Sequence, residues 1–190
     1  WHVDLGGDYG WGNDSITRSV AALAETESSN SDSQSEQFFA RLGYDSSLSG
    51  LPITPYLGLA HVSATSGHFA ESGGLAALSG AAKTDSQTYT ALGTRLTLPD
   101  LQVAAMPLAL HADLGWSHAL EGTTPGQVVS FATGQSFTVL GAPIGSDAAT
   151  VQLGADLAIA PDAAFSLGYD ASFSNRGSSH AVRGGVNWRF

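Results

Sequence analysis

His111, Asp113 and Ser117 stand at alternating positions of one segment. On an extended strand the three side chains share a face, so imidazole, carboxylate and hydroxyl raise the question of a nucleophilic hydrolase. The chain has no Gly-x-Ser-x-Gly elbow, and its other serines sit in ordinary Ser/Gly-rich stretches. The six histidines (His2, His61, His68, His111, His118 and His180) show no His-x-x-x-His or similar ligand spacing. Cysteine is absent, which removes thiolate metal sites and a disulfide framework. Catalysis, metal and cofactor are therefore not expected, and the polar residues read as the lining of something.

The elements that carry them alternate with a period of two. Val151, Leu153, Ala155, Leu157 and Ile159 alternate with Gln152, Gly154, Asp156 and Ala158; Phe165, Leu167, Tyr169, Ala171 and Phe173 alternate with Ser166, Gly168, Asp170 and Ser172. Val182, Val186, Trp188 and Phe190 oppose Arg183, Asn187 and Arg189. Trp1, Val3, Leu5, Tyr9 and Trp11 oppose His2, Asp4 and Asp8, and Phe38, Ala40, Leu42 and Tyr44 oppose Gln37, Arg41 and Asp45. Leu92, Leu96 and Leu98 oppose Tyr89, Gly93 and Arg95, while Leu108, Leu110, Leu114 and Trp116 oppose His111, Asp113 and Ser117. Each segment reads as a strand with one apolar face. With two less regular stretches, Ile16–Leu23 and Ile53–Val62, the count is about nine strands, most near the length that crosses a bilayer at a tilt. Short connections are predicted at Asn13-Asp14, Ser46–Leu51, Pro99–Val103 and Pro161-Asp162. Long ones are predicted at Glu25–Ser33, Ser66–Asp85 and Glu121–Ser146, with a lesser one at Asn175–Ser179.

Composition agrees with a wall that is greasy on one side and wet on the other. Charged residues are only 13% of the 190, against roughly 25% in soluble domains, and Gly is abundant at 23. Mean hydropathy is nevertheless just +0.04. No stretch reaches the roughly 18 apolar residues of a membrane helix. The net charge of −10 argues against nucleic acid as a partner, since phosphates would be repelled. The inner set is Asp4, Asp8, Arg41, Arg95, His111, Asp113, Asp156, Asp170, Arg183 and Arg189, with Gly43, Gly93, Gly115, Gly154, Gly168 and Gly185 on the same side. A soluble β-sandwich also alternates, but its core would not accept so many ionisable groups. A hydrated lumen accepts them. Aromatics near strand ends (Tyr44, Trp116, Trp188, Phe190) suit interfacial girdles, so the fold class is an all-β, antiparallel transmembrane barrel.

The last residues, Arg183-Gly184-Gly185-Val186-Asn187-Trp188-Arg189-Phe190, resemble the C-terminal assembly signal of outer-membrane barrels, with Arg183, Gly185, Trp188 and Phe190 matching its positions. Thr54–Val62, Phe69–Leu78, Ala91–Arg95, Leu114–Ala119 and Gly141–Ile144 resemble, in order and spacing, the autotransporter translocator β-domain. That resemblance implies a twelve-stranded barrel whose linker segment threads the lumen and which anchors and helps export an N-terminal passenger. Its implied partners are outer-membrane lipid, the barrel assembly machinery acting on the C-terminal strand, and the protein's own passenger and linker. The alignment has residues 1–190 as the C-terminal part of one barrel domain, beginning near the fourth strand with Trp1 on the extracellular side. A porin-like channel and a surface adhesive barrel without a passenger are the competing readings. In the long loops, alternation on both sides of Thr133-Gly134 predicts a hairpin over the pore mouth.

Overall fold

The computed structural model describes residues 1–122 and 124–189. In chain order its strands are β1 (His2–Val20), β2 (Glu25–Gly43), β3 (Ser46–Leu48), β4 (Leu51–Ser66), β5 (Phe69–Ala70), β6 (Leu78–Gly80), β7 (Lys83–Val103), β8 (Met106–Ala119), β9 (Gly126–Phe131), β10 (Ser136–Leu140), β11 (Asp147–Ala160), β12 (Ala163–Ser174) and β13 (Gly177–Trp188). The long strands form one antiparallel sheet in the order β1-β2-β4-β7-β8-β11-β12-β13, with the short β3 folded back on β4. Among the described residues the sheet is open, because β1 and β13 do not pair with each other.

Residues directly opposite one another in an antiparallel ladder project to the same side. One row runs Val3, Leu42, Leu57, Leu92, Trp116, Ala149, Phe173 across seven strands, and another runs Leu108, Leu157, Phe165, Val186. This outer face is apolar and uncovered: Leu57 is 59% exposed and Val186 63%. Buried apolar side chains are few among the described residues, namely Tyr56, Ala76, Ala119, Val129 and Ala171. A water-soluble sheet would bury the row that this one displays.

Among the described residues the wall has eight long strands and the short β3, in keeping with the nine or so that the sequence predicts. Asn13-Asp14 and Glu25–Ser33 were expected to be connections, yet β1 and β2 run through them in unbroken register from His2↔Gly43 to Val20↔Glu25. The Asn13 amide donates to Asp32 at 3.0 Å and the Ser15 hydroxyl to Asn30 at 2.7 Å, so polar side chains hold this half of the hairpin together. It is polar on both faces because it extends past the apolar band, where water can satisfy the outer side. Ile16–Val20 is thus the far half of β1, and the actual turn is Ala21–Ala24. Pro99–Val103 also lies within a strand: β7 shifts register between Leu98 and Leu101 and turns at Ala104–Ala105, both at positive φ. With an even strand number, Trp1 stands at the end of the sheet that carries the short turns and the end of β13. This reverses the extracellular placement expected for it.

At the other end the two long loops meet. Phe69–Ala70, Leu78–Gly80 and the β9–β10 hairpin make a second sheet, ordered β10-β9-β6-β5. The hairpin turns at Gly134, whose φ of +87° suits glycine, next to Thr133 as its sequence suggests.

Candidate functional site

The second face of the wall collects the ionisable groups. Arg95 stands opposite Asp113, Asp113 opposite Gln152, and Gln152 opposite Asp170. Asp4 is opposite Arg41, and Asp8 is opposite Gln37. His111, Gly154, Gly168 and Arg183 make a parallel row. Asp156 is opposite Ser166, which is opposite Gly185. Arg189 follows β13 and gives its backbone N–H to the carbonyl of Asp162. All the inner-set residues that lie in strands therefore share a face, opposite the one that carries Leu57 and Val186.

Asp113 organises the centre of this face. Tyr56 donates its hydroxyl to Oδ1 at 2.6 Å, Arg95 donates to Oδ2 at 3.3 Å, and Arg41 approaches Oδ2 to 3.7 Å. Arg41 also lies over the Tyr56 ring, 4.2 Å from its centroid. These groups come from β2, β4, β7 and β8, and strands three apart lie roughly 14 Å from each other in a flat sheet. Their convergence marks this side as concave. Glycine makes the room: a Cβ at Gly93 would overlap the Tyr56 hydroxyl, and one at Gly115 would stand 2.9 Å from it. Asp113 is 6% exposed, a burial tolerable because two guanidinium groups and a phenol satisfy it.

Two further pairs lie beside it. Ser166 donates to Asp156 at 2.5 Å with His111 at 3.6 Å from the same carboxylate, and Arg183 donates to Asp170 at 2.5 Å. A Cβ at Gly154 would overlap the His111 ring, so that glycine is the seat of the imidazole. The candidate hydrolase set is split by these contacts. His111 faces Asp156 rather than a serine, and Asp113 is occupied by cations and Tyr56. At the near rim His2 bonds Asp45 at 3.0 Å, and Thr54 donates to the same carboxylate at 3.0 Å. The His2 bond, then the Thr54 bond, hold Asp45 below the usual carboxylate range.

At the far rim the structure shows a cluster that the sequence reading missed. Arg18 bonds Glu71 through two nitrogens, at 3.1 and 2.5 Å, and donates to the Ala76 carbonyl at 2.8 Å. Glu27, fully buried, accepts from the Gly74 N–H at 2.9 Å, and Glu25 accepts from Ala76 N–H at 3.0 Å. Ser28 and Ser72 exchange backbone hydrogen bonds at 2.9 Å each way. These contacts dock loop 67–77 along the edge of β2 away from β1, with Arg18, Glu25 and Glu27 reaching it from the concave face. Lys83 bonds the Gly126 carbonyl and pairs with Asp85. Glu121 accepts from Thr88 N–H at 2.5 Å and from Gln87 at 2.9 Å. Under the resulting lid lies a cavity of about 740 Å³ lined by, among others, Ile16, Phe69, Leu78 and Val139 with Arg18 and Glu71. The signal was the charge pattern: Arg18 falls directly opposite Glu27, but only once β1 and β2 are known to be continuous.

Of the C-terminal motif, Gly185 lies on the inner face with nothing within 4 Å of the site a Cβ would take, and Trp188 on the outer face donates its indole N–H to Asp162 at 2.9 Å. Phe190 lies outside the described residues.

This architecture has counterparts among known proteins. The translocator domain of the autotransporter NalP from Neisseria meningitidis superposes with a TM-score of 0.74 at 22% identity, over 99% of this chain and 60% of that one. Two proteins of Serratia marcescens, each described as an extracellular serine protease, are 32% identical over 190 and 193 residues, or 97% and 99% of this chain. The chain spans only 18% of the length of either relative. The family described as Autotransporter beta-domain matches residues 1–170. The chain therefore belongs to the autotransporter β-domain family: a non-enzymatic antiparallel barrel wall of the Gram-negative outer membrane, of the kind through which a passenger is exported.

Proposed function

We propose that this chain anchors an N-terminal passenger in the outer membrane and helps to export it, with the inner face as the wall of the conduit. One observation carries the reading. The outer face carries a broad apolar band, while the inner face pairs its charges in clusters around Asp113, Asp156 and Asp170. Lipid is the medium for the first and water, linker and passenger for the second. Asp4, Asp8, Arg41, Arg95, His111, Asp113, Asp156, Asp170, Arg183 and Arg189 line the lumen in this reading. Arg183, Gly185, Trp188 and Phe190 serve as the strand that the barrel assembly machinery recognises.

The test is surface display of an epitope-tagged full-length protein. Deleting Phe190, or replacing Gly185 and Trp188 together, is expected to leave the chain in the periplasm and abolish display. Normal display of those variants would remove the assembly role. A folded, inserted barrel whose tag never reaches the cell surface would remove the export role. The relatives' description makes protease activity in the culture medium the first passenger activity to assay.

A further inference from the structure

The outer face ends at the far rim in an unusual way. Along β4 the outward residues run Ile53, Pro55, Leu57, Leu59 and then His61; along β8 they run Leu108, Leu110, Ala112, Leu114, Trp116 and then His118. Along β13, read back from its end, they run Trp188, Val186, Gly184, Val182 and then His180. Three of the six histidines thus stand at the same margin, where the apolar band stops. His2 and His111, by contrast, project inward, opposite Gly43 and Gly154. The outward strand positions carry no Lys or Arg: Arg18, Arg41, Lys83, Arg95 and Arg183 alternate inward, Arg176 is in the β12–β13 turn, and Arg189 is at the opposite end of β13.

The three rings are held alike. Nδ1 of His61 bonds the Thr88 hydroxyl at 3.0 Å, Nδ1 of His118 bonds Asp147 at 2.9 Å, and Nδ1 of His180 bonds the Tyr169 hydroxyl at 2.8 Å. Each bond crosses to the neighbouring strand and occupies Nδ1, so that Nε2 has no hydrogen-bond partner among the described residues. Aromatic neighbours brace two of the rings: Trp116 stacks on His118, and Tyr169 and Phe173 flank His180.

We propose that His61, His118 and His180 present Nε2 to the phosphate groups of outer-leaflet lipids, a headgroup-binding belt built into the barrel's outer margin. The inference rests on the outer-membrane orientation proposed above. The donor chemistry follows from the partners. At His61 and His180 the partner is a hydroxyl, which can donate to Nδ1; that tautomer places the ring proton on Nε2 and offers it to phosphate. At His118 the carboxylate of Asp147 takes the Nδ1 proton, so Nε2 donates to phosphate only from the doubly protonated ring. Carboxylates neighbour two of the rings, Glu121 at His61 and Asp147 at His118.

Asparagine and glutamine separate the two ring nitrogens, because an Asn amide reaches only the Nδ1 position and a Gln amide reaches the Nε2 position. The full-length protein in detergent micelles is titrated with phosphatidic acid and with a galactolipid of the same acyl chains, and retained lipid is counted by native mass spectrometry. Wild type is expected to prefer phosphatidic acid by about tenfold or more, at about fivefold per good hydrogen bond. The triple His→Asn variant keeps the cross-strand bonds and is expected to lose the preference, whereas triple His→Gln retains part of it. An Asn variant with wild-type preference overturns the proposal, as does a Gln variant that loses as much as the Asn one. A wild type that retains both lipids equally overturns the belt alone. One that retains neither overturns the membrane orientation and the belt together.

Discussion

A residue in this wall is judged by the side it takes, not by its hydrophobicity. Asp156 and Leu157 are neighbours, yet one faces Ser166 on the concave side and the other Phe165 on the outer side. Leu157→Arg is expected to cost about 2–4 kcal/mol if that position lies near the bilayer midplane. Asp156→Leu should cost far less, since it fills a hydrated space. Urea titration of the full-length protein refolded into vesicles reads both, and equal costs would contradict the two-faced assignment. Asp113 is the second test. Asp113→Asn leaves Arg41 and Arg95 facing each other across a neutral amide and weakens the charge-assisted bond from Tyr56. About 1–3 kcal/mol is expected, discounted because Arg95 is 44% exposed. The same titration with Tyr56→Phe in addition should show less than additive loss, because both substitutions act on one cluster.

The elements show where local sequence was informative and where it was not. Within the apolar band the alternation sorts residues onto the same two faces as the strand register, because lipid on one side and water on the other impose a period of two on every crossing strand. Beyond the band that constraint disappears. Glu25–Ser33 has the residues of a loop, and only its partner β1, supplying Arg18, Ser15 and Asn13 in register, makes it a strand. The latch on loop 67–77 was hidden for the same reason: Arg18 and Glu71 meet only after two distant segments are placed. The hairpin around Gly134 was visible because its turn chemistry is local. The latch has a pH signature of its own. The Arg18 hydrogen bonds, with help from the Leu78 N–H, hold Glu71 below its ordinary value of 4.5. A carboxylate depressed in the folded state contributes stability that is complete above its unfolded value and lost as pH falls through the folded one. Amide exchange in residues 67–80 is therefore expected to stay slow from neutral pH down to about 4.5, after correction for the intrinsic rate, and to accelerate below it. Glu71→Gln should be fast at every pH. Protection that ignores both changes would show that the loop is held by its backbone bonds to β2 alone.

At the scale of the molecule, the unsolved requirement is the pair of open edges. Backbone groups of β1 and β13 that remain unpaired in hydrocarbon each cost several kcal/mol, so both edges must be covered in the membrane. Eight is an even number, and β1 and β13 run antiparallel, so sidedness alone would permit them to join. Size argues otherwise. An eight-stranded barrel has an interior just wide enough to be filled by side chains. This concave face carries Arg41, Tyr56, Arg95, His111, Asp113, Asp156, Asp170 and Arg183, which would be forced together with few waters to solvate them. The translocator domain of NalP offers the scale, since this chain matches 60% of its length. We therefore expect β1 and β13 to pair with strands outside residues 1–190, supplied by the rest of the barrel or, during insertion, by the assembly machinery. Residues 1–190 contain no cysteine, and with any cysteine elsewhere in the full-length protein replaced by serine the engineered pair alone can bridge. Val3→Cys combined with Val182→Cys in the full-length protein should yield no intramolecular disulfide in isolated outer membranes. Val3→Cys combined with Leu42→Cys, directly opposite each other in the β1–β2 ladder, is the positive control. Efficient Val3–Val182 cross-linking would mean that the sheet closes on itself as a small barrel, and the wide-lumen account would have to be abandoned.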